Sequence, residues 1–204
     1  MRFFQNCRKP TGFGGRMMAK GMNTGHRGIS DFGFAFAPEG GVSDAADFGC
    51  GGGANVARLL SRYPGAKVTG LDYSEVSVDV SAKLNRAAID AGRCRIVQGD
   101  VSAAPFEDGS FDLVVACETV YFWPIEKGFA EVHRTLRPGG TFLLMVEFDG
   151  KGDRGKRWEK RIDGMRVYTA GELTAFLERA GFSDIEPHSK NPKLAISARR
   201  PVIP

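Results

Sequence analysis

The sequence predicts an α/β fold: a doubly wound, seven-stranded, mostly parallel sheet with an antiparallel C-terminal strand and helices on both faces, a three-layer sandwich. Three observations predict it. From residue 44 onward, short apolar strands alternate with helical patterns, as right-handed crossovers in a parallel sheet require. The run "FDLVVAC" (Phe111–Cys117) is apolar almost throughout, as expected of a strand covered on both faces. The stretch "DFGCGGGAN", Asp47 to Asn55, places four glycines in five residues between a strand and a helix.

Taken in order, residues 1–43 stand apart. They are glycine-rich, with Met17, Met18 and Met22 followed by Phe32, Phe34 and Phe36. They are expected to form an N-terminal cap of short helices over the site, ahead of a main domain at 44–204. "DAADF" is a short strand before the glycines. "ANVARLLSRY" is helical because Val56, Leu59, Leu60 and Tyr63 recur at i, i+3, i+4 and i+7, and Pro64–Gly65 stops it. "KVTGLD" is the second strand. "SEVSVDVSAKLNRAAIDAG" reads as one helix, with Ser74 as N-cap and Gly92 at its end. "RCRIVQG" is the third strand and "FDLVVAC" the fourth. "IEKGFAEVHRTL" is a helix ended by "RPGG", and "TFLLMVEF" is the fifth strand. "TAGELTAFLERAG" starts with a capping box, Thr169 with Glu172 three residues on. "DIEPHS" and "LAISAR" are the last strands, and Pro187 places the former at a sheet edge.

The chain has 204 residues, 42% hydrophobic and 25% charged, which suits a single domain with an ordinary core. No apolar run reaches the ~18–20 residues of a membrane span. The basic start lacks both a long apolar stretch and a small-residue cleavage site, so neither a secretion signal nor a membrane partner is expected. Cys7, Cys50, Cys94 and Cys117 are scattered without a CxxC pair. That argues against a zinc site or a disulfide framework and fits a reducing cytoplasm. Net charge is +4, with the excess at Arg2, Arg8, Lys9, Arg16 and Lys20 and in Lys151–Arg166, where seven Lys/Arg face three acids. Such stretches are solvated loops or sites for an anionic substrate or RNA.

The glycine stretch fits two patterns. One is GxGxxA, from Gly49 through Gly51 to Ala54, with Asp72 about 20 residues on, close to the dinucleotide fingerprint. The better one is Asp47-x-Gly49-x-Gly51-x-Gly53. An acid at the strand end repels a pyrophosphate but suits an ammonium or sulfonium group. The glycines let the chain pack flat against an uncharged nucleoside and an amino-acid tail. Asp72, ending the second strand, can accept both hydroxyls of a ribose. Asp100, ending the third, can accept from an adenine amino group, and Val101 offers its backbone N–H to a ring nitrogen. Each acid alone also suits a helix N-cap; three at successive strand ends behind a glycine loop form a set.

With these residues the chain resembles the class I S-adenosylmethionine-dependent methyltransferases, which have a Rossmann-like fold. The resemblance rests on "DFGCGGG", "GLDYS", "GDVSAAPFEDGSFDLVVACETVYF" and "LRPGGTFLLMVEF", roughly residues 44–148. It is similar to the small-molecule methylases of ubiquinone and menaquinone biosynthesis. The resemblance implies S-adenosyl-L-methionine as cofactor and S-adenosyl-L-homocysteine as product. It places Gly49, Gly51 and Gly53 along the methionine and ribose, Asp47 near the amino-acid part, Asp72 on the ribose, Tyr73 against adenine, and Asp100 with Val101 at the adenine edge. Cys117 and Glu118 would flank the sulfonium and the acceptor. Phe48, inside the glycine motif, replaces a smaller aliphatic common in the family.

Methyl transfer from an activated donor needs mainly alignment and desolvation, and proximity alone contributes roughly 7–11 kcal/mol. A base is needed only where the acceptor loses a proton. Glu118 and His26 are the catalytic candidates. For Glu118 a cofactor contact or helix cap stands beside the role of base; for His26 the alternative is a solvated loop histidine. Tyr121, Phe122 and Trp123 form an aromatic wall worth about 0.5–2 kcal/mol to a sulfonium, or else pack under the next helix. Trp158 and Tyr168, with Met165, either close over the acceptor pocket or belong to a connector anchored by the tryptophan. The expected partner is a small-molecule methyl acceptor, with the protein a monomer or homodimer and nucleic acid not expected. RNA or protein methylation, a nicotinamide-dependent oxidoreductase and a non-catalytic nucleoside-binding module are the competing readings. The chain lacks the Asn/Asp-Pro-Pro-aromatic stretch of base-amino methylases and the Pro-Cys nucleophile used on cytosine.

Overall fold

The computed structural model describes residues 2–202, with side chains from residue 4 onward, so the Arg2 side chain and the last two residues lie outside the described residues. The chain opens with three helices, α1 (Arg2–Gln5), α2 (Gly12–Gly25) and α3 (Arg27–Gly33), and a 3-10 turn at Phe34–Phe36. Next come β1 (Asp44–Phe48), α4 (Ala54–Arg62), β2 (Lys67–Asp72), α5 (Glu75–Leu84), α6 (Arg86–Asp90) and β3 (Cys94–Gln98). The second half contains β4 (Phe111–Cys117), α7 (Ile125–Thr135), β5 (Leu136–Val146), α8 (Asp153–Glu159), α9 (Ala170–Arg179), β6 (Ser183–Lys190) and β7 (Lys193–Arg199).

The strands form one seven-stranded sheet in the order β3-β2-β1-β4-β5-β7-β6. All neighbours pair in parallel except β7, which is antiparallel to both β5 and β6. β2 and β3 lie on one side of β1, and β4 and β5 on the other. The direction of winding therefore reverses between β1 and β4, and the crevice beyond their carboxyl ends is the natural ligand site.

Strand alternation builds two cores. Ala46, Phe48, Val114, Ala116, Phe142 and Leu144 point to one face, where Phe129 and Val132 of α7 and Leu173 and Leu177 of α9 cover them. Ala45, Leu113, Val115, Leu143 and Met145 point to the other, under Val56 and Leu59 of α4 and Ile29 of α3. α3 sits so close to β5 that a Cβ at Gly33 would collide with Met145. Pro187 is on β6, the edge strand, where a missing ladder donor is harmless.

Three elements differ from the sequence reading. The helix read as continuous from 74 to 92 breaks at Asn85, whose side-chain amide donates to the Ser81 carbonyl at 3.0 Å and to that of Gly53 at 3.1 Å. A side chain serving the backbone this way competes with helix continuation. β5 starts at Leu136, not Thr141: Leu136 pairs with Phe111 and Thr141 with Leu113, so five steps of β5 span two of β4. The excess is a bulge at "RPGG", where Gly139 has φ +80°. The basic segment after β5 contains a helix, α8, where the sequence reading placed a connector or pocket-closing loop.

Candidate functional site

The loop after β1 folds back so that the N–H groups of Gly49 and Cys50 both donate to the Leu71 carbonyl of β2, at 2.7 and 3.0 Å. Its glycines answer to different neighbours. A Cβ at Gly49 would strike Thr119, and one at Gly53 would strike Ser81 of α5. At Gly52 it would meet the Ala19 carbonyl and the Asn23 amide of α2, and Asn23 Nδ2 donates to the Gly52 carbonyl at 3.0 Å. Gly51, at φ +50°, is different: a Cβ there would meet no protein atom within 4 Å. It borders a cavity of about 280 Å³ at the carboxyl ends of the strands.

Asp72 ties the walls of this cavity together. One carboxylate oxygen accepts from the Gly51 N–H and the other from the Ser74 N–H, each at 2.9 Å. Burial raises its pKa, and the two backbone donors work against that rise. Asp100 caps the 3-10 turn at Val101–Ala103, with one oxygen accepting from the Ser102 N–H at 2.8 Å and its hydroxyl at 2.7 Å. These bonds hold its carboxyl below the ordinary range. Asp47 is 1% exposed, and among the described residues neither of its oxygens has a hydrogen-bond partner. Burial, and secondarily the Asp72 charge, push its carboxyl up to about 8.

Cys117 and Glu118 form the opposite wall, at the end of β4. Glu118 has a left-handed backbone, φ +58°, which a non-glycine residue rarely adopts. One of its oxygens accepts from the Glu147 N–H and from the Tyr121 hydroxyl, the latter at 3.0 Å. Burial pushes the Glu118 carboxyl up to about 8, against the opposing effect of the Glu147 N–H. The Cys117 sulfur is 3.6 Å from the Ser30 hydroxyl of α3, and burial raises its thiol pKa. His26, between α2 and α3, borders the cavity and is held towards its neutral form by burial. Tyr73 also borders it, with its hydroxyl donating to the Arg8 carbonyl at 2.6 Å.

The cavity thus collects His26, Gly49, Gly51, Asp72, Tyr73, Asp100, Val101, Cys117, Glu118, Phe122 and Trp123 from the sequence-derived set. It does not include Asp47, Gly53, Tyr121, Trp158 or Tyr168. Asp47 lies beneath the loop, and Gly53 faces α5. Tyr121 is 3% exposed in the core, reaching Glu118 only through its hydroxyl. Trp158 meets Phe4 edge-on at 5.7 Å, and Tyr168 is buried against Phe176 at 5.9 Å, so neither closes over the pocket. Sequence reasoning missed Asn23, Ser30 and Thr119, which border the cavity. The sequence reading placed short helices over the site but named none of their contacts; Ala19 and Asn23, which meet the glycine loop, share a helix face at i, i+4.

A family model described as "Methyltransferase domain" matches residues 46–144. Cycloartenol-C-24-methyltransferase 1 of Oryza sativa subsp. japonica is 37% identical over 99 residues, 48% of this chain and 28% of that protein. Malonyl-[acyl-carrier protein] O-methyltransferase of Geobacter sulfurreducens is 32% identical over 155 residues, 69% of this chain and 55% of that protein. The chain therefore spans from about a quarter to just over half of the length of these relatives. Among solved structures, the fold matches a chain of the complex between the Haloferax volcanii Trm112 methyltransferase activator and a methyltransferase. The TM-score is 0.80 at 22% identity, over 93% of this chain and 95% of that one. The strand order, the acid-flanked glycine loop and the family match agree: residues 46–144 are a methyltransferase domain of the class I S-adenosylmethionine-dependent family.

Proposed function

We propose that the protein methylates a small-molecule acceptor, with S-adenosyl-L-methionine bound in the cavity at the β1/β4 switch point. When bound, this cofactor supplies a methyl group already activated on a sulfonium. The observation that carries the reading is Asp47, at the end of β1 just before the glycine turn and behind the cavity lining, a buried carboxyl whose oxygens have no hydrogen-bond partner among the described residues. An unsatisfied buried acid is costly and calls for a compensating group. A cationic amino-acid tail above the turn supplies that compensation; a pyrophosphate would worsen it.

The remaining residues fit the same ligand. Gly49 and Gly51 border the tail, and Gly53 sets the start of α4 behind them. Asp72 accepts one backbone N–H at each oxygen, and also the Ser77 hydroxyl, and still has acceptor capacity for a ribose hydroxyl. Asp100 and the Val101 N–H face the adenine edge, beside Tyr73, whose ring is held through its hydroxyl. On the acceptor side, Phe122 and Trp123 present apolar surface. Glu118, with a carboxyl near 8, can take up or release a proton close to neutral pH. His26, kept towards neutrality, can accept a hydrogen bond. Residues 1–43 serve as the cap, and the cavity volume suits a nucleoside-sized ligand better than a macromolecular segment. The names of the relatives, a sterol-type and an acyl-carrier-protein methyltransferase, agree with a non-nucleic-acid acceptor. The setting is the cytoplasm.

Calorimetric titration tests this. S-adenosylhomocysteine is expected to bind and NADH not to, and Asp72→Ala is expected to weaken S-adenosylhomocysteine by more than about tenfold, the loss of a buried acceptor pair. Binding of NADH with S-adenosylhomocysteine ignored would overturn the assignment; unchanged affinity in the variant would remove the ribose contact.

A further inference from the structure

The outer face of α2 is not explained by the cofactor site. Its inner residues Gly15 and Ala19 are buried, while Phe13, Arg16, Met17, Lys20, Gly21 and Thr24 form one continuous exposed stripe at i, i+3, i+4, i+7, i+8 and i+11. Phe13 is 79% exposed and Met17 60%, one turn apart. Leaving both in water forgoes the burial that drives folding. The segment's own charge has a single sign: residues 1–30 contain six Lys/Arg and no Asp or Glu. Against these cations α5 brings Asp79, 3.8 Å from Arg16 with both groups half exposed, and exposes Glu75 one turn before it, while Lys9 rests over the Tyr73 ring at 5.3 Å.

We infer that this face docks on an anionic lipid bilayer, with α2 lying in the interface, Phe13 and Met17 inserted, and Arg16 and Lys20 at the headgroups. Two large apolar side chains on a helix that otherwise shows cations and small residues are the pattern of an interfacial helix. Each nearby cation adds attraction to an anionic leaflet. A protein partner could bury Phe13, Met17 and Arg16, types enriched at interfaces, but Lys20 is of a type depleted there, whereas an anionic leaflet takes all four. Among the described residues no helix is long and apolar enough to cross a membrane; a helix lying in the surface need not be.

The position of α2 gives docking a consequence. Its inner side presses on the glycine loop through Ala19 and Asn23, and Met22 and Asn23 border the cavity. The membrane would thus meet the lid of the site itself, and, resting on the methyltransferase reading, the acceptor would be an apolar molecule drawn from the bilayer.

Vesicle flotation tests the docking without turnover. The wild-type protein is expected to float with phosphatidylcholine–phosphatidylglycerol vesicles, to lose that binding as salt is raised, and to bind pure phosphatidylcholine weakly. F13S/M17S should bind the mixed vesicles about tenfold less while keeping its affinity for S-adenosylhomocysteine. Both side chains are exposed, so folding should survive; K20E offers an independent variant and should also weaken binding. Failure of the wild type to float, equal binding to both lipids, or unchanged binding in the variants overturns the proposal. So does a wild-type dimer that F13S/M17S splits, since the stripe would then be an interface between copies. Loss of S-adenosylhomocysteine binding by the wild type would instead count against the methyltransferase reading and leave the flotation result standing on its own.

Discussion

At the level of single residues, the site is a set of acids in unequal circumstances, Asp47 and Asp72 buried and Asp100 exposed. Asp72 is served by two backbone donors, Asp100 by Ser102, and Asp47 by none among the described residues. In an unfolded chain an aspartate titrates near 4; in the fold, Asp47 holds its proton to about 8. The folded protein therefore binds a proton that the unfolded chain releases. Its contribution is complete below about pH 4 and is lost as pH rises towards 8, by up to about 1.4 kcal/mol per pH unit. Asp47→Asn cannot ionise, so chemical denaturation of the unliganded variant should show a shallower loss of stability between pH 5 and 8. A residual slope of the same sign is expected from Glu118, also held near 8; identical slopes in wild type and variant would show that Asp47 is ionised in the fold. That the three acids fall at or beside strand ends and the glycines in the loop between was legible in the sequence, because strand ends and loops have a compact signature. Trp158 and Tyr168 were not: an aromatic residue in a connector carries no sign of whether it packs on Phe4, on Phe176 or on a ligand.

Among the elements, the two phrases that carried the family resemblance have structural reasons. In "LRPGG", Arg137 clamps Asp44 and Asp112 at 2.9 and 2.8 Å, joining the amino ends of β1 and β4, while the glycines absorb the bulge in β5. In "PFEDGSFDLV", Asp108 and the Phe106 carbonyl both receive the Arg134 guanidinium of α7, at 2.7 and 2.8 Å. Strand and helix cores followed from periodicity, and α9 from its capping box, which is present in full: the Thr169 hydroxyl accepts from the Glu172 N–H, and the Glu172 carboxylate accepts from the Thr169 N–H at 2.8 Å. Thr169→Ala should cost about 1 kcal/mol. For a chain of this length that is a fall of roughly 2–4 °C in Tm by calorimetry; no change would mean that α9 is held by the packing of Leu173 and Leu177 alone. The break at Asn85 and the early start of β5 escaped the sequence reading because both depend on partners distant along the chain, Gly53 and Phe111.

For the whole molecule, the mostly parallel sheet could be read from alternation and residues 1–43 were expected over the site, whereas the strand order and the contacts that seat residues 2–36 could not be read. That seating rests on Asn23 against Gly52, Ser74 Oγ donating to the Pro10 carbonyl at 2.7 Å, and the Tyr73 hydroxyl donating to Arg8. All three reach the rim of the cavity, so the N-terminal helices and the cavity are one assembly. Gly52→Leu should push α2 off the loop, exposing residues 12–33 to limited proteolysis and lowering S-adenosylhomocysteine affinity by about tenfold or more. Proteolysis unchanged from wild type would show the cap docked by other contacts.

The placement of β7 has a temporal consequence. This last strand slots between β5 and β6, and Lys193, at its start, donates to the Gly28 carbonyl of α3 at 2.9 Å. Segments far apart along the chain, α3 and β7, thus meet on the sheet, and α3 gains this contact only once β7 has paired. On folding, the part of the cavity wall carried by α3 therefore gains its full support only after the β6–β7 hairpin has joined the sheet.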